Sequence, residues 1–77
     1  MADADELEKA RKQVGLTTSA LWVRYFALGG MSTPLELEAV LFGALVPSPH
    51  DRDLILVALN ERSAELGLGH PMPYSDD

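Results

Sequence analysis

The chain has 77 residues, no cysteine and a net charge of −6. One domain at most fits this length, and the missing cysteines exclude disulfides and thiolate metal sites as staples for a small core. Hydrophobic residues make up 47% of the sequence, normal for a globular chain, while the acidic balance disfavours phosphate backbones and anionic lipid.

The cations cluster only at Lys9, Arg11 and Lys12, so the basic stripe of a nucleic-acid binder is missing. Residues 1–12 are charged and lack the apolar core of a signal peptide. The longest apolar runs, such as 39–46, fall short of a membrane span. These features predict a cytoplasmic protein with neither nucleic acid nor membrane as partner.

The first element begins near Asp3, with Asp5 and Glu6 where a helix N-terminus favours negative charge. Leu7, Val14, Leu21 and Leu28 recur every seven residues, with Ala10, Thr17, Thr18 and Tyr25 at three- and four-residue steps between them. This stripe predicts one long amphipathic helix over 4–28, with an imperfect coiled-coil seam. The weak point is Gly15 to Ser19, where a helical Gly costs about 1 kcal/mol against Ala. The alternative is a break near Gly15, with Thr17 or Thr18 capping a second helix. The unbroken seven-residue phase favours the long helix.

Gly29 suits the left-handed residue that ends a helix. Thr33, Pro34 and Glu36 then form a capping box with proline in the first helical position. The helix over 34–45 carries Leu35, Leu37, Val40, Leu41, Phe42 and Leu45, and only Glu36 and Glu38 are charged. A helix apolar on most faces is expected to be buried on most faces, which makes this the central helix.

Ser48, Pro49 and Asp51 repeat the start signal. They predict a third helix over 49–66 with Ile55, Leu56, Leu59 and Leu66 as its inner stripe, closed by Gly67. Asp53, Asn60, Glu61 and Glu65 fall mostly outside that stripe. Gly69, Pro71 and Pro73 rule out a further helix after Gly67, leaving 70–77 as an extended or disordered tail with Met72 and Tyr74 as its apolar residues. No strand alternation is present. The predicted fold is all-α: one domain over 1–69, a three-helix bundle, or a four-helix one if the first segment breaks.

Tyr25, Phe26, Leu28, Gly29, Gly30 and Ser32 resemble the attachment signature of acyl and peptidyl carrier domains, which are also acidic, helical and about this long. The resemblance covers eight residues and implies a phosphopantetheine arm on Ser32. Thr33 and Pro34 depart from it, because carriers place a hydrophobic residue after a serine that itself opens the helix. A Gly-Gly helix end followed by a Ser-Thr-Pro helix start accounts for each residue without a cofactor, and that reading is preferred.

His50, Asp51 and Asp53 offer oxygen and nitrogen donors, but acids in a first helical turn need no metal to explain them. Trp22, Tyr25 and Phe26 read as core or interface aromatics, and Arg52 and Arg62 as surface or ion-pairing residues. No catalytic triad is recognisable. A twelve-residue central helix spans roughly 18 Å, too short to cover a long first helix. The expected function is therefore a non-enzymatic protein-interaction module or regulatory adaptor. It is expected to be a homodimer, joined through Leu7, Ala10, Val14, Leu21 and Trp22.

Overall fold

The computed structural model describes residues 4–68; the predicted tail over 70–77, with Met72 and Tyr74, lies outside the described residues. The described chain is all-helical: α1 (Ala4–Gln13), α2 (Thr18–Ala27), α3 (Pro34–Leu41) and α4 (Pro49–Glu65).

The long first helix is not formed. The chain breaks at Gly15, whose φ is +69°, and restarts with Thr17 as N-cap, its hydroxyl accepting from the Ala20 amide at 3.0 Å. The Gly15 amide donates to the Lys12 carbonyl and the Leu16 amide to the Arg11 carbonyl, the paired bonds of a Schellman ending. Arginines hold the corner from both sides. Arg11 donates to the Leu16 carbonyl at 2.7 Å, and Arg62 of α4 to the Val14 carbonyl at 3.3 Å.

The energetics favour the break. A continuous helix carries about 1 kcal/mol for Gly15 and roughly half that for each threonine. The corner removes those terms and adds a cap contributing about 1 kcal/mol. It also buries Leu16 with Val14, and a buried leucine contributes about 1.5–3 kcal/mol.

α1 and α2 each pack against α3 and α4. Within this frame Leu7, Val14 and Leu21 are buried, and Leu28 packs partly buried against the same core. The seven-residue spacing is therefore real as a burial pattern, but two helices share it.

The expected central helix is also displaced. α3 stops at Leu41, because Gly43 takes φ +79° and ends it. It buries Leu37, Val40 and Leu41 but turns Leu35, Phe42 and the following Leu45 outward. The central element is α4, which buries Arg52, Ile55, Leu56, Ala58, Leu59 and Ser63. Leu66, expected in its inner stripe, is exposed as the C-cap, whereas Arg52, expected at the surface or in an ion pair, is buried and partnered. The start signals at Thr33 and Ser48 hold, and Thr17, offered beside Thr18 only in the alternative to the long helix, acts as a cap too: each accepts from an amide three residues on, and Thr33 with Glu36 makes the full capping box.

Candidate functional site

The opening of the α2–α3 corner explains Tyr25, Phe26, Gly29 and Gly30 separately. Gly29 takes φ +99° and ends α2. Gly30 is needed for a different reason: a Cβ there would overlap the Tyr25 ring. That ring is fully buried, at 0% exposure. Its hydroxyl accepts from the Ser32 amide at 2.8 Å and donates to Asp51 Oδ1 at 3.0 Å. Tyr25 thus bolts α2, the corner and the first turn of α4 together. Asp51 does more than answer the helix dipole, since it is the acceptor that satisfies a buried phenol.

Trp22 makes the second tie. Its indole Nε1 donates to the Ser32 carbonyl at 2.9 Å, and its ring stacks on Phe26 with centroids 4.9 Å apart. Trp22 is half-buried by these contacts, which fixes the orientation of the pair. Phe26 is left 58% exposed, beside Val23 at 59% one turn away. Met31 at the corner and Leu35 at the start of α3 are 91% and 75% exposed. Ser19 and Ala27 continue the outward side of α2 and carry no charge. The result is an apolar, charge-free face on α2 with an aromatic pair held rigid at its centre. A further exposed group, Phe42 and Val46, follows α3.

The charges around this face are few. Between Thr18 and His50 only Arg24, Glu36 and Glu38 are charged. Arg24 is neutralised by a fork to Glu65 of α4, with nitrogen–oxygen distances of 2.9 and 2.8 Å. The Arg24 guanidinium holds the Glu65 carboxyl down to about 2, with a smaller contribution from Arg62 and with desolvation opposing. Glu36 and Glu38, the two charged side chains of α3, are both exposed.

Concavities lie elsewhere on the described residues, one of about 460 Å³ between Asp5, Glu8, Lys9 and Lys12 of α1 and Leu41 and Phe42. A groove of about 530 Å³ runs between α1 and α4, lined by Glu6, Lys9, Ala10, Val14, Leu59 and Ser63 among others. A pocket of about 160 Å³ sits beside Tyr25, Ser32, Glu36 and Asp51. Among the described residues no group of three or more His, Asp or Glu side chains is placed to hold a metal ion.

The five residues expected to form a dimer contact do not form one outward strip. Leu7, Val14 and Leu21 are enclosed by the chain itself. Ala10 is half-buried beside the α1–α4 groove. Only Trp22 belongs to the exposed apolar face. The premise that α1 outruns its neighbours fails, because the corner at Gly15 folds α1 back over α3 and α4. Ser32, the residue of the carrier resemblance, sits one place before the Thr33 cap, with both its backbone groups engaged by Tyr25 and Trp22. Sequence reasoning missed Val23, Phe26, Met31 and Leu35 as a group. The available signal was the near absence of charge from Thr18 to His50 in a chain too short to bury all of it.

No family model, curated protein or solved structure matches this chain. No helix among the described residues is long and apolar enough to cross a membrane.

Proposed function

We propose that the chain is a non-enzymatic helical docking module that binds another protein through the outward face of α2 and the α2–α3 corner. The observation that carries this reading is the Trp22–Phe26 stack, oriented by the Trp22 bond to Ser32 and left open to solvent. Rigid aromatic anchors of this kind lose little conformational entropy on binding and dominate interface energetics. Contiguous apolar surface beyond a few hundred Å² is rare on monomers and marks interaction sites.

Self-association belongs to the same reading, relocated from α1 to α2. The non-enzymatic part of the proposal is supported by the titratable groups. Glu65, whose carboxyl is lowered to about 2, is explained by two arginines at the surface, and the phenol of the buried Tyr25 is satisfied by the Ser32 amide and the half-buried Asp51.

Site-specific photocrosslinking in the native cell tests the proposal. A benzophenone side chain at position 26 should give a discrete protein adduct, whereas one at Gln13, exposed on α1, should not. The adduct should disappear when Val23 is changed to Asp. Equal adducts at both positions, or none at position 26, would overturn the reading.

A further inference from the structure

We infer that the groove between α1 and α4 is filled by the chain's own continuation, residues 69–74. The groove shares no lining residue with the α2 face, so its occupant is a question beyond the docking reading. α1 meets α4 more sparsely than α2 does, and a groove of about 530 Å³ lies along that seam. Buried Val14 and Leu59 and half-buried Ala10 give it an apolar floor.

The end of α4 delivers the chain to this groove. Gly67 takes φ +73°. Its amide donates to the Ala64 carbonyl and the Leu68 amide to the Ser63 carbonyl, both at 3.0 Å. This Schellman ending turns the backbone back over α4, and Leu68, 42% exposed, lines the groove beside Ser63. The entry is at the Val14 end, because Arg62, next to Ser63 in the chain, donates to the Val14 carbonyl. From Leu68, four extended residues cover at most about 13 Å. α1 covers about 12 Å between Val14 and Glu6, and both of these residues line the groove. Met72 thus falls within reach along its length, and Tyr74 reaches its far end.

The sequence supplies the form and the side. Pro71 and Pro73 follow His70 and Met72, and a residue before proline is pushed from the helical region toward extended backbone. Alternate residues of an extended segment share a side. Leu68, His70, Met72 and Tyr74 therefore fall together, with the prolines opposite. The side that Leu68 gives to the groove is continued by Met72 and Tyr74. A segment laid between two helices finds no backbone ladder to pair with, and each proline removes a donor that would need one. Tethering favours this occupant over a separate molecule. Leu68 is already in place, so the residues after it meet the groove at an effective concentration of about millimolar.

The absence of native cysteine allows a paired-thiol test on the full chain. Asp5 and Glu6 are exposed neighbours on α1, but Glu6 lines this groove and Asp5 the concavity with Leu41 and Phe42. Met72→Cys with Glu6→Cys should close an intramolecular disulfide at least about tenfold faster than Met72→Cys with Asp5→Cys. Equal rates would overturn the inference, because a segment that visits both sides is not seated in one. A disulfide that forms between chains, at a rate rising with protein concentration, would make a second copy the occupant instead.

Met72→Asp with Tyr74→Asp gives a second readout without new thiols and leaves the helical core intact. Hydrogen exchange at the amides of Ala10 to Val14 should quicken at least about threefold in that variant. Unchanged exchange would mean that the groove stands open in the chain by itself and is left to a different protein. Neither readout involves Phe26, so a failure here leaves the docking reading standing, and a missing adduct at position 26 leaves this inference standing.

Discussion

Tyr25 and Phe26 are neighbours of similar size with opposite fates, set by helix phase: Tyr25 shares the inward stripe of Leu21 and Leu28 and Phe26 stands outside it. Ser32 and Asp51 satisfy the hydroxyl that Tyr25 takes inside. Phe26 has no such tether and stays outside on the Trp22 ring. Tyr25→Phe keeps the buried ring but strands the Ser32 amide and one Asp51 oxygen. It should cost about 1–2 kcal/mol, which lowers the melting temperature by roughly 4–16 °C in a domain this small. Gly30→Ala should be worse, since the overlapping ring is fully enclosed and overpacking of this kind costs about 1–3 kcal/mol or more. Thermal denaturation of both variants measures the effect; a neutral Gly30→Ala would show that the corner is loose. The Tyr-Phe-x-Leu-Gly-Gly run was legible as a helix ending. The close approach of a ring to Gly30 was not, because a contact across five residues of a turning chain leaves no periodic trace.

At the scale of elements, the α1–α2 corner gives the clearest contrast between sequence and structure. Leu7, Val14, Leu21 and Leu28 hold one phase, and phase alone cannot tell one helix from two that share a core. Local chemistry held the answer: Gly15 as the left-handed residue and Thr17 as the cap. The two architectures predict opposite signs for one substitution. In a continuous helix Gly15→Ala stabilises by about 1 kcal/mol. In the observed corner the new Cβ meets nothing within 4 Å, so only the backbone responds, and holding alanine at positive φ costs about 1–2 kcal/mol. Chemical denaturation should therefore show Gly15→Ala destabilised, with Thr17→Ala losing about 1 kcal/mol beside it. A stabilised Gly15→Ala would restore the long helix. The starts of α3 and α4 were fully legible, because Thr33-Pro34-Glu36 and Ser48-Pro49 carry their caps within four residues. The burial of α3 was misjudged for a physical reason. An apolar stretch of sequence need not be enclosed: α3 buries Leu37, Val40 and Leu41 and leaves Leu35 and Phe42 in the exposed apolar fraction that any small domain carries.

Across the whole molecule, the Arg24–Glu65 fork links α2 to the end of α4 and confers a pH dependence. The folded carboxyl lies at about 2 against an ordinary 4.5, so the group is depressed on folding. Its stabilisation is complete above about pH 4.5 and is lost as the pH falls through that value toward 2. Both side chains are partly solvent-exposed, so added salt should weaken the effect. Stability measured between pH 6 and pH 2 should fall less steeply for Glu65→Gln than for the parent chain. An unchanged slope would mean that the fork forms only weakly in solution.

The central claim is that folding encloses the α1 strip and leaves the α2 face for a partner. The absence of native cysteine allows single thiols to be placed at Val14 and Phe26 and their labelling rates compared under native conditions. The account predicts that the thiol at position 26 reacts at the rate of an exposed side chain, while the one at position 14 is protected by orders of magnitude at every protein concentration. Protection at position 26 with rapid labelling at position 14 would contradict it.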